Sequence, residues 1–227
     1  ASTNLTIAAL EFLTADATAV GVAVGVGGFA GGQAINDVSN SVTSELVDDV
    51  FYQAKGDVLL NAYDETTVTA TVDQTSGGLV GTGTAMAIND IENDVTARMQ
   101  TQVQLTADGN VQVKAAEAST VFANVSGASA GAVAVSGNVA INNVANEVTA
   151  FIRDNATVAA QNNLLVQADQ TNFVAVNAAN TAAGIVGVGG TVVLNNFENS
   201  TRAFVDDASS ISARGNGDPL QIRKWDE

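Results

Sequence analysis

The stretch VAINNVANEVTAFI, residues 139–152, sets two asparagines, Asn142 and Asn146, four apart in an otherwise apolar run. It returns as QAINDVSNSVTSEL at 33–46, MAINDIENDVTARM at 86–99 and VVLNNFENSTRAFV at 192–205. Asn36, Asn89, Asn142 and Asn195 are separated by 89−36, 142−89 and 195−142, each 53, and Asn40, Asn93, Asn146 and Asn199 keep the same step. Two complete four-copy columns without a gap identify an internal repeat, which takes precedence over any residue-level reading. The repeat cores run over about 5–57, 58–110, 111–163 and 164–216, and the whole is expected to be one segment of a larger protein.

Superposing the copies shows which positions the architecture holds. Gly25, Gly78, Gly131 and Gly184 align, as do Ile35, Ile88, Ile141 and Leu194, and Ala54, Ala107, Ala160 and Ala213. The third copy alternates at Val148, Ala150 and Ile152, then Val158 and Ala160, then Leu164, Val166 and Ala168. A period of two predicts strands with one buried face. RDN at 153–155, QNN at 161–163 and DQTN at 169–172 read as corners between strands of about five residues. Aromatics make up only 5% of the chain, and small aliphatics suit the narrow core of a solenoid better than a sandwich or propeller. The expected fold is all-β: a parallel β-helix, right-handed because parallel crossovers are. Each 53-residue unit is expected to form two coils, of roughly 22 and 31 residues, so that the array makes a rod about 40 Å long at about 4.8 Å per coil.

Both asparagine columns then read as structural, an amide ladder holding coils in register, with Asn142 ending one strand and Asn146 opening the next. The glycine column at 25, 78, 131 and 184 reads as structural too. GAVAVSGNVAI at 131–141 and GIVGVGGTVVL at 184–194 are apolar or tiny on both faces, which predicts a covered strand, in the first instance beneath a long loop of its own.

Little chemistry is legible. The chain has neither cysteine nor histidine, which removes disulfides, thiolate metal sites and the commonest general base. Twenty-four acidic against eight basic residues, a formal charge of −16, argue against nucleic acid as a partner. No apolar run reaches the length of a membrane helix. The clusters Gly25-Val-Gly27-Gly28 and Gly187-Val-Gly189-Gly190 lack the helix start of a phosphate loop. No cofactor is expected; calcium is the one candidate, at the corners carrying Asp48-Asp49, Asp154 and Asp206-Asp207, although the second copy has Thr101 there. DPLQIRKWDE at 218–227 leaves the register near Pro219, as a shifted strand or as sequence outside the repeat.

The pattern AINxxxNxVxAxIxDxAxVxAxxxxxVxA within 131–168 resembles repeats of large bacterial exported filamentous adhesins, of the filamentous haemagglutinin-like, autotransporter and leukotoxin types. The resemblance implies a secreted or cell-surface β-helical shaft without catalytic residues, its partners being neighbouring repeats and a host glycan or protein. A membrane-active toxin region and a polysaccharide-processing β-helix enzyme are the alternatives.

Overall fold

A computed structural model describes residues 3–218 and 220, except Val50 and Asp207. The register break expected near Pro219 therefore lies outside the described residues. Every ladder is parallel, and every pairing joins residue n to residue n+53. Strand β1 (Leu5–Leu46) lies on β3 (Val58–Met99). The latter lies on both β5 (Val111–Ala130) and β6 (Val133–Ile152), which are covered in turn by β8 (Leu164–Ala183), β9 (Val186–Phe197) and β10 (Ser200–Val205). A second sheet stacks the short strands β2 (Phe51–Ala54), β4 (Gln104–Ala107), β7 (Thr157–Ala160) and β11 (Ser210–Ala213) in the same register. The chain is a parallel β-solenoid.

The register changes the expected coil. Two coils per unit would pair residues of the same repeat with each other, whereas Val111 pairs with Val58 and Leu164, its equivalents in the neighbouring repeats. One repeat is therefore one coil, and the described residues form four. Each coil is a long, narrow loop of backbone. A first wall (58–77 in the second coil) runs to the glycine corner, and a second wall (80–99) runs back. The short third side (104–107) closes the wide end. At about 3.3 Å per residue such a wall is about 65 Å long, while four coils at about 4.8 Å give a thickness of about 15–20 Å. The segment is a slab, wider than it is long, in place of the expected rod.

Side-chain parity explains the walls. In the second coil Val58, Leu60, Ala62, Asp64, Thr66, Val68, Ala70 and Val72 all point inward and are buried, as are Ala85, Ala87, Asn89, Ile91, Asn93, Val95, Ala97 and Met99 on the facing wall. Val, Leu, Ile and Met fill the wide end around Leu60, Met99, Leu105 and Ile152. Towards the corner the core shrinks to Ala34, Ala70, Val72, Ala87, Ala123 and Ala140, so the walls converge. RDN at 153–155 and QNN at 161–163 are corners, but DQTN at 169–172 lies inside β8. Its inward residues have hydrogen-bond partners on the facing wall: Gln170 accepts from Thr201, and Asn172 from Asn146. A polar cluster whose side chains meet partners from the facing wall does not oblige the chain to turn.

The two ends of each wall turn differently. At the wide end Asp48, Asp49, Thr101, Gln102, Asp154 and Asn155 all have positive φ, between 24° and 72°. Asp and Asn tolerate that backbone best, so the corner conformation itself accounts for most of the acidic residues there. At the narrow end the glycine column is needed for contact between coils. Gly78 has φ +153°, and a Cβ on it would run into the Gly25 carbonyl. One on Gly131 would lie 2.6 Å from the Gly78 carbonyl oxygen, and one on Gly184 would strike that of Gly131.

Replacing Gly131 by Ala is expected to destabilise the chain by about 1–3 kcal/mol through this overpacking. The same change at Gly137, where a Cβ meets nothing within 4 Å, serves as the control. Thermal or urea unfolding of the two variants reads the difference.

Candidate functional site: an internal polar spine and an outer apolar trough

Two polar layers cross the core between its aliphatic clusters. In the first, Asn36 Nδ2 donates to Asn89 Oδ1 at 2.9 Å, Asn89 to Asn142 at 2.8 Å and Asn142 to Asn195 at 2.8 Å. The remaining amide hydrogens reach across to the opposite wall, Asn36 to the Thr69 carbonyl at 2.8 Å and Asn89 to that of Phe122 at 3.0 Å. This is a continuous ladder along the axis, in the middle of the strands. Asn142 does not end a strand and Asn146 does not begin one, since both lie within β6.

The second column works differently. The backbone N–H of Asn93 donates to Asn146 Oδ1 at 3.1 Å, and that of Asn146 to Asn199 Oδ1 at 3.2 Å. Its amides also face carboxylates. Asn93 Nδ2 donates to Asp64 at 3.0 Å, and Asn40 donates to Asp64 and Thr66. Asn146 Nδ2 donates to Glu117 at 2.9 Å and to Ser119 Oγ at 3.0 Å. Thr66 and Ser119 hydroxyls donate to Asp64 and Glu117. Asp64 is 0% and Glu117 3% exposed, and they are ladder partners in adjacent coils, with Glu11 before them and Gln170 after.

This carboxylate pair is absent from the residues that the sequence pattern singles out. Its signal is nonetheless present: Asp64 continues the inward parity of Leu60 and Ala62, and Glu117 stands one repeat further on.

Burial sets the acidity of the pair. Loss of hydration raises Glu117 to about 7, and the charge on Asp64 adds to the rise, while hydrogen bonds from Ser119 and Asn146 offset part of it. Asp64 is raised as well, first by burial and then by Glu11, against the donors Thr66 and Asn40. Glu117 Oε2 and Asn93 Oδ1 are buried acceptors without a donor. A proton on Glu117 supplies a donor in a layer otherwise short of them.

The outer surface divides sharply. The outward side of the second wall carries aliphatic columns: Val80, Val133 and Val186; Val135 and Val188; Met86, Val139 and Val192; and Ile35, Ile88, Ile141 and Leu194. All are exposed or half-buried. The cover expected from a long loop is not there, because the connections between the described strands are two to four residues, too short to fold back over a wall. Between the valine columns runs a trough of about 750 Å³ along the axis, lined by Gly31, Thr84, Met86, Gly137, Val139 and Val192. It exists because the outward column 31, 84, 137, 190 reads Gly, Thr, Gly, Gly. Glycines here make a surface for apolar groups. They lie in extended strands, and the phosphate-loop context is missing.

Among the described residues no group of three or more acidic side chains is placed to hold a metal ion. Among the described residues no helix is long and apolar enough to cross a membrane. Comparison with protein-family models, curated proteins and solved structures finds no match.

Both polar columns bear on stability. Replacing Asn142 by Leu leaves the Asn89 amide and the Asn195 oxygen without their ladder partner, and is expected to cost about 1–3 kcal/mol in chemical unfolding. A raised folded pKa means that the native state holds a proton which the unfolded chain has already released. Stability from Glu117 is therefore fully present below about pH 4.5 and is lost as pH rises to about 7. Glu117→Gln should remove that part of the pH dependence, about 3 kcal/mol by linkage, read as the melting temperature against pH.

Proposed function

We propose that this chain is a shaft segment of a bacterial cell-surface or secreted adhesin, a non-catalytic spacer whose partners are its neighbouring repeats. The observation that carries the reading is the unbroken 53-residue register through both walls and the third side. Such an array extends by adding identical coils, each stabilised by its neighbours, which suits a part that sets distance. Adhesion to a host glycan or protein belongs to this proposal through the sequence resemblance. On this reading the outer apolar trough is where the shaft meets another surface.

The two buried carboxylates weigh against the polysaccharide-processing alternative. A glycosidase needs a carboxyl pair that its substrate can reach, and Asp64 and Glu117 lie sealed between the walls. The membrane-active alternative has one observation in its favour, the aliphatic columns of the second wall together with Val26, Leu79 and Ile185 at the narrow corner, 81%, 62% and 91% exposed.

Dye release from anionic and zwitterionic vesicles, run beside a binding and hydrolysis screen on polysaccharides, separates the three. A shaft leaves vesicles intact and glycans uncut. Leakage at micromolar protein would replace this reading with the membrane-active one, and released oligosaccharide with the enzymatic one.

A further inference from the structure

We propose that two copies of this chain pair face to face through the outer side of the second wall, the apolar ridge of each seated in the trough of the other. The inference rests on the shaft reading above and names the surface that the trough meets.

Charge singles this face out. In a chain of formal charge −16, residues 26–36, 79–89, 132–142 and 185–195 contain no Asp, Glu, Lys or Arg. Acidic side chains resume at the next outward positions, with Asp37, Asp90 and Glu92. The first wall offers no such strip, since Glu65, Asp73 and Lys114 stand outward on it. Nor does the exposure come from an end of the array. Val133 and Val135 have coils on both sides and are still 40% and 42% exposed.

The size suits a second copy. The uncharged strip spans residues 26–36 and their equivalents in four coils, about 36 Å by about 19 Å. Two such faces would bury about 1,400 Å², within the range of stable interfaces, about 1,200–2,000 Å².

Shape and charge together select one arrangement. The outward column 31, 84, 137, 190 reads Gly, Thr, Gly, Gly, and the column beside it, 33, 86, 139, 192, reads Gln, Met, Val, Val. A two-fold axis parallel to the stack of coils, set between these columns, places Met86, Val139 and Val192 of each copy over Thr84, Gly137 and Gly190 of the other. It sets Val135 and Val188 against Ile141 and Leu194. The contact is isologous and closes at two copies. Facing strands then run antiparallel, and the Asp90 columns of the two copies fall at opposite edges, about 33 Å apart, well beyond a screening length of about 8–10 Å. A two-fold axis along the strands would instead lay trough on trough, leave the hollow unfilled, and bring the acidic columns face to face.

Sedimentation of the full chain over a concentration series should show mass rising to two copies and stopping there. A Cβ at Gly137 meets nothing within 4 Å, so Gly137→Leu adds a side chain to the trough without touching its own coil. It occupies the seat of Val139 and should weaken pairing about tenfold or more, with the melting temperature of dilute monomer unchanged. Apolar adhesion without a seat would be strengthened by the added leucine, and that result would overturn the proposal. Val139→Lys, which buries an unpaired ammonium on pairing, should leave a monomer by an independent route. The chain has no cysteine, so Val133→Cys and Asn143→Cys, which the same axis sets opposite each other, report the geometry. A short bifunctional maleimide should join them when mixed, and neither with itself. Self-linking by either variant, or a monomer at every concentration, would overturn the pairing. Should that monomer leave vesicles intact, the shaft reading survives alone; vesicle leakage would remove both.

Discussion

Stacking each residue on its equivalent in the next repeat is the constraint from which the rest follows. Parallel strands about 4.8 Å apart bring every column of side chains into contact along the axis, so a position that is wrong in one coil is wrong against two neighbours. That is why Gly131 must remain glycine beneath Gly184 and above Gly78. It also explains why the asparagines recur. A buried amide is expensive alone, but in a column it finds an identical amide on either side, and its second hydrogen reaches the facing wall.

Convergence of the walls divides the core. Aliphatic side chains fill the wide end, alanine and glycine the narrow one, and polar layers sit between the apolar clusters. Where a large polar residue occurs near the narrow corner, the opposite wall makes room. Gln74 lies where a Cβ on Gly83 would stand, and Asn138 lies against Gly127. These complementary sizes fix how the two walls of a coil meet, as the ladders fix how coils stack. Layers of buried amides and carboxylates add specificity, because sliding one wall by two residues would place Asp64 or Glu117 against an aliphatic neighbour.

The repeat, the strand period and the parallel solenoid were legible in the sequence, because translational symmetry writes itself directly into residue columns. Coil length was not. Reading Asp169, Gln170, Thr171 and Asn172 as a corner assumed that polar clusters mark turns, whereas Gln170 and Asn172 point into the core and meet partners from the other wall. Those partners, Thr201 and Asn146, are remote in sequence, beyond any local pattern. The same nonlocality hid Asp64 and Glu117, whose burial depends on Asn93 and Asn146 opposite. The outer aliphatic columns were visible as an apolar strand, but not that the connections between the described strands are too short to cover them.

Distances between spin labels placed in one outward column test most directly whether one repeat is one coil. Labels at Asp90 and Asn143, ladder partners on the second wall, should sit one strand spacing apart, about 5 Å between backbones, and broaden each other's spectra strongly. Labels at Asp90 and Gln112, which a short first coil would stack but which lie on opposite walls, should show no such broadening. Strong broadening for Asp90 with Gln112, and none for Asp90 with Asn143, would mean two coils per repeat and would contradict the account.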